Sequence, residues 1–143
     1  MTSARLARVG LLLTTIVIGL SALAGGAALV LGSVDSSLAS VLSPSLDYLE
    51  GSPFGSYLIP GLVLGFVLGG VHLAAFALIV RRSRWWMLAG AVAAFDTLIW
   101  IFVQMVIIPF SFLQAAYFAL GALEAGLVML ALGILRPRTA APA

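Results

Sequence analysis

Four apolar runs, each long enough to cross a bilayer as a helix, take up most of this 143-residue chain, and all seven arginines stand at the ends of those runs. Arg5 and Arg8 precede the first run, Val9 to Leu31. Arg81, Arg82 and Arg84 separate the second run, residues 57–80, from the third, residues 85–108. Arg136 and Arg138 follow the fourth, residues 113–135, and open the tail, residues 136–143. A spanning helix needs about 20 residues. With four crossings, every arginine falls on one side, and basic residues next to spans accumulate on the cytoplasmic side. The pattern predicts an all-α, polytopic integral membrane protein: one membrane domain, a four-transmembrane-helix bundle with both termini cytoplasmic.

Composition agrees. Charged residues make up 8% of the chain and hydrophobic ones 63%, whereas a soluble domain carries roughly 25% charged residues. No stretch is left over for a separate soluble domain. The absence of cysteine excludes disulfides, thiol catalysis and thiolate metal sites. Lysine and asparagine are also missing while alanine, glycine and arginine abound, which suggests a GC-rich bacterial genome and hence a bacterial plasma membrane. The formal charge of +2 does not point to nucleic acid. It is divided among three juxtamembrane clusters, where it favours anionic lipid headgroups. The expected partners are the lipid bilayer and either another membrane protein or further copies of this chain.

The first run has a competing reading as a signal peptide, with Arg5 and Arg8 before an apolar core and Ala22-Leu23-Ala24 as a cleavage site. Apolar character resumes at Ala27, which favours an uncleaved span. Residues 32–56 form the one long loop, serine-rich, with Asp35, Asp47 and Glu50 and no basic residue. Ser43-Pro44 reads as a helix N-cap followed by proline at the first helical position, with Gly51 as a stop. The other connections, 81–84 and 109–112, are tight, so the second, third and fourth helices should be antiparallel neighbours. Trp85 and Trp86 mark one membrane interface; Tyr57, Phe110, Phe112 and Tyr117 mark the other.

Three ionisable residues fall inside the runs: His72, Asp96 and Glu124. A charge there costs at least about 2.5 to 3.5 kcal/mol, so each should face protein or water. Asp96 lies twelve residues after Arg84 and Glu124 twelve before Arg136. Both therefore sit about 18 Å from the basic ends, and the pattern predicts an Asp96–Glu124 pair, with His72 one short step nearer the arginines. Helical spacing places Ala89, Ala93, Asp96, Trp100 and Gln104 on one stripe, and Gln114, Tyr117, Gly121 and Glu124 on another. Gly61, Gly65, Gly69 and His72 form a third, whose tandem G-x-x-x-G permits close helix approach, either within the bundle or to another subunit. Trp100, Gln104, Gln114 and Tyr117 continue the polar track away from the arginines, which predicts a pocket open to the outer side and no continuous pore.

One histidine with two carboxyls is a poor metal set, and bis-histidine haem ligation is impossible. No metal or other cofactor is expected. Nucleophile-elbow, zinc-protease, phosphate-loop and dinucleotide motifs are absent. Gly121-Ala-Leu-Glu-Ala-Gly126, running on to Gly133 and Arg136, is similar to helices of DoxX-type membrane proteins. It is a short, apolar, low-complexity stretch and implies no function. Three functions remain. The first is a non-enzymatic accessory or interaction subunit. The second is a small-molecule or lipid binder, or proton-coupled transporter, using the acid pair. The third is an intramembrane enzyme with Asp96, Glu124 and His72 as general acid and base.

Overall fold

The computed structural model describes residues 3–134, all helix and connecting turn. Helix α1 covers Ser3–Val34 and the short α2 covers Ser36–Leu42. A 3₁₀ turn follows at Leu46–Leu49, then α3 at Leu58–Val80, α4 at Trp86–Ile107 and α5 at Phe112–Ala131. The four long helices are each long and apolar enough to cross a membrane. Their outward faces are apolar too: Phe66, Val106 and Phe112 are among the most exposed side chains. A soluble bundle would put polar residues there. Arg136, Arg138 and the tail lie outside the described residues.

The helices follow one another around a ring. α1 packs on α3 and α5, and α4 packs on α3 and α5, while the α1–α4 and α3–α5 pairs oppose each other with few contacts. The short turns account for the α3–α4–α5 order, as expected. They do not account for α1, which closes the ring and takes up the glycine stripe. A Cβ on Gly26 of α1 would meet Gly61 O at 2.6 Å and Gly65 N at 2.6 Å, so backbone lies directly on backbone. The tandem G-x-x-x-G therefore serves packing inside the bundle. α1 runs unbroken through Ala22-Leu23-Ala24 to Val34, further than the first apolar run, and forms one wall of the ring.

At the arginine-rich end, Arg8 has a second role besides marking a side. Its Nε and Nη2 donate to Ile79 O at 3.2 and 3.0 Å, and Nη2 also donates to Val80 O at 3.2 Å. These carbonyls lie in the last turn of α3, where intrahelical donors run out and a cation meets the negative end of the helix dipole. α3 then stops in a Schellman turn: Arg82 N–H donates to Ile79 O and Ser83 N–H to Leu78 O. Arg82 occupies its left-handed position, with φ of 52°. Arg84 lies over the Trp85 ring, 4.9 Å from its centroid. Trp86 turns inward and packs against the core of Leu11, Ile79 and Val128. α5 ends earlier than the fourth apolar run, at Ala131, with Gly133 in the left-handed position.

The loop at the opposite end is ordered differently from its sequence reading. Ser43 ends α2, and Ser45 caps the following 3₁₀ turn. Asp35 caps α2, its Oδ1 accepting from the Ser37 N–H at 2.9 Å. These hydrogen bonds, that of the Ser37 hydroxyl first, hold the Asp35 carboxyl below its ordinary pKa. Tyr57 is buried and donates its hydroxyl to Ser45 O at 2.9 Å, which ties the loop to the start of α3. Burial is the main reason the Tyr57 phenol titrates above its usual range.

Candidate functional site

The bundle interior is layered. Nearest the arginines is the apolar cluster of Leu11, Ile79 and Val128. Next comes a polar layer of His72, Thr97 and Glu124, all fully buried. A second apolar cluster, Ile18, Ala22 and Leu68, with Trp100, Tyr117 and Leu120 against it, closes that layer off. Beyond it, a cavity of about 440 Å³ opens at the loop end.

His72 is set by α3 in an unusual stretch. Residues Val63–Gly69 form a π-helical turn, one residue wider than an α-turn, just before it. No sequence signal marks this turn beyond the glycines. The imidazole Nδ1 lies 2.7 Å from Leu68 O. A carbonyl only accepts, so Nδ1 carries a proton. Nε2 lies 3.0 Å from Thr97 Oγ1 and 3.3 Å from Glu124 Oε2. Thr97 Oγ1 can donate to Nε2 or accept from it, and Glu124 Oε2 is a second, longer partner for the same nitrogen. Glu124 Oε1 has no hydrogen-bond partner. Because α3 and α5 are diagonal, this contact crosses the middle of the bundle.

The expected Asp96–Glu124 pair is not formed. Glu124 meets His72, and among the described residues Asp96 makes no hydrogen bond, its Oδ2 being buried without a partner there. The reason is rotational. The buried face of α4 is Gly90, Ala93, Ala94, Thr97 and Ile101. Asp96 precedes Thr97 by one residue, a turn of about 100°. It instead continues the line of Leu88, Ala89 and Val92, which border the α3–α4 seam. Equal depth was therefore not enough to pair the two acids. Thr97, which sequence reasoning passed over, occupies the central position; its only signal was its i+4 spacing from Ala93 on the small-residue face. His72 is placed one step nearer the arginines by its backbone, and its ring reaches across to Glu124. The described residues contain no group of three or more histidine or carboxylate side chains placed to hold a metal ion.

The cavity gathers the rest of the polar track. Trp100 and Gln104 from α4, and Gln114 and Tyr117 from α5, all line it. Ser21, Ala22 and Gly25 from α1, Leu64 and Leu68 from α3, Pro44 and Tyr48 from the loop, and residues 108–111 of the α4–α5 turn also line it. Tyr117 donates its hydroxyl to Ser21 Oγ at 2.6 Å, and Ser21 donates to Val17 O at 2.7 Å. Gln114 takes part in the N-terminal capping box of α5. Its Oε1 accepts from the Ser111 N–H at 2.9 Å, and its backbone N–H donates to Ser111 Oγ. The lining is mostly apolar and holds no charged side chain. Its volume lies within the range of pockets that take small ligands, about 300 to 1,000 Å³.

Comparison with known protein families, curated proteins and solved structures returns no match, so the functional reading rests on this geometry.

Proposed function

We infer that this is a four-span integral membrane protein that binds a small or lipid-like molecule at its non-cytoplasmic end. Apolar outer faces on all four long helices support the membrane assignment. The arginine positions support an orientation with both termini in the cytoplasm. The observation that carries the binding reading is the cavity of about 440 Å³ beneath the acidic loop, walled by all four long helices.

Proton-coupled transport is the second reading. The buried His72–Glu124 contact favours it, since it sets an imidazole against a carboxyl one layer below the cavity floor. The accessory-subunit reading drew on the lack of a soluble part, the lack of catalytic motifs and small-residue surfaces suited to helix association, the glycine stripe among them. That stripe is occupied by α1, so binding is placed ahead of association.

Native mass spectrometry of the protein released gently from its host membranes tests the choice. A monomer or homo-oligomer retaining a lipid or other small molecule is the expected result. A stoichiometric complex with another polypeptide, with no retained molecule, would return the accessory-subunit reading to first place.

A further inference from the structure

We propose that the cavity takes an uncharged, lipid-like molecule that presents an ester or ketone oxygen to Gln114 Nε2. This rests on the binding reading above and specifies its chemistry.

The orientation of the Gln114 amide is fixed by its partner. The Ser111 N–H can only donate, so the atom facing it is Oε1. The Nε2 group is left over. It is buried without a hydrogen-bond partner, on a side chain only 2% exposed that lines the cavity. A buried donor left unmatched costs about 1 to 3 kcal/mol, which an acceptor on a ligand would recover.

Two of the four hydroxyl hydrogens on the cavity lining are already used. Tyr117 gives its proton to Ser21, and Ser21 gives its own to a backbone carbonyl. The Trp100 indole N–H and the Gln104 amide lie on the same lining and make no side-chain hydrogen bond among the described residues. The buried Gln114 Nε2 and the Trp100 N–H can only donate, and together they favour a ligand that supplies an acceptor. Charge selects further. No basic side chain lines the cavity to hold an anion, and no acidic one to hold a cation. Asp35, Asp47 and Glu50 in the adjoining loop would disfavour anions at the mouth. The remaining lining is apolar and suits a hydrocarbon chain.

Trp100 gives a direct reporter. In a Trp85→Phe/Trp86→Phe variant it is the one tryptophan left. The protein is placed in nanodiscs with four C18 probes brominated at mid-chain: a monoacylglycerol, a fatty acid, an alkyl amine and a hydrocarbon. The expected result is saturable quenching of Trp100 by the monoacylglycerol, with weaker quenching by the other three. Gln114→Met should reduce the preference for monoacylglycerol over hydrocarbon by about fivefold. Damage to the fold would weaken both probes alike and leave that ratio unchanged. Equal or stronger saturable quenching by the fatty acid, amine or hydrocarbon would overturn this inference while leaving the binding reading intact. So would an unchanged ratio in a Gln114→Met protein that still binds the hydrocarbon as tightly as the parent. Absence of saturable quenching by every probe would overturn both.

Discussion

Alanine substitution along the α1–α3 contact should change sign from one glycine to the next. At Gly26 a Cβ would lie 2.6 Å from Gly61 O and Gly65 N and 2.7 Å from Gly65 Cα. All three are backbone atoms, so no rotamer change relieves the clash and the helices must separate. Overpacking of this kind costs about 1 to 3 kcal/mol. Against it stands the better helix propensity of alanine, about 1 kcal/mol. The net for Gly26→Ala is a loss of up to about 2 kcal/mol. Gly65→Ala is different, because its Cβ would meet only Gly26 Cα, at 3.8 Å. That is ordinary contact, and the propensity term leaves the variant neutral or slightly more stable. Gly126→Ala on α5 meets nothing within 4 Å and should gain about 0.5 to 1 kcal/mol. Unfolding by SDS in mixed micelles, followed by circular dichroism, gives the three midpoints on one scale. Gly26→Ala matching Gly126→Ala would refute the backbone-on-backbone contact and the placement of α1 against α3.

Three further outcomes follow from single contacts. Arg8→Gln should lower stability by about 1 kcal/mol through loss of the charge-assisted bonds to Ile79 and Val80 carbonyls, discounted for partial exposure, as read by the same unfolding midpoint. Glu124→Gln keeps a neutral partner for His72 and should unfold within about 1 kcal/mol of the parent, whereas Glu124→Leu leaves Thr97 as the one side-chain partner of His72 Nε2 among the described residues and should lose about 1 kcal/mol. Asp35 has a lowered folded-state pKa, so its cap on α2 is fully present above the ordinary aspartate range and is lost as pH falls through the lowered value. Hydrogen-exchange protection of the Ser37 amide should fall in that acid window in the parent and stay level in Asp35→Asn.

What the sequence made legible was whatever depends on hydropathy, spacing and turn length. The four long helices, the α3–α4–α5 order, and the buried stripes of α3 and α5 all follow from period and loop length. The stripe on α4 came out one residue wrong because Asp96 was used to anchor it. A helix rotates by about 100° per residue, so that single step moved the acid to the seam and brought Thr97 to the centre. The His72–Glu124 contact was obscured for a related reason. Rise along the axis places Cα atoms, whereas this contact is made by two long side chains reaching across the bundle diagonal. The π-turn at Val63–Gly69 has no periodicity of its own to announce it. The four polar residues lining the cavity were visible as a track, but Pro44 and Tyr48 also line it, brought over by a loop whose N-cap was placed two residues early while its stop at Gly51 holds.

The central claim is a membrane-embedded bundle whose cavity opens on the side away from the arginines. The chain contains no cysteine, so single substitutions report cleanly. Gln104→Cys, on the cavity wall, and Ser83→Cys, in the turn between α3 and α4, should be treated with a membrane-impermeant maleimide on intact cells. The account predicts that Gln104→Cys is labelled from outside and that Ser83→Cys is labelled only after permeabilisation. Labelling of Ser83→Cys in intact cells, with Gln104→Cys protected, would contradict it.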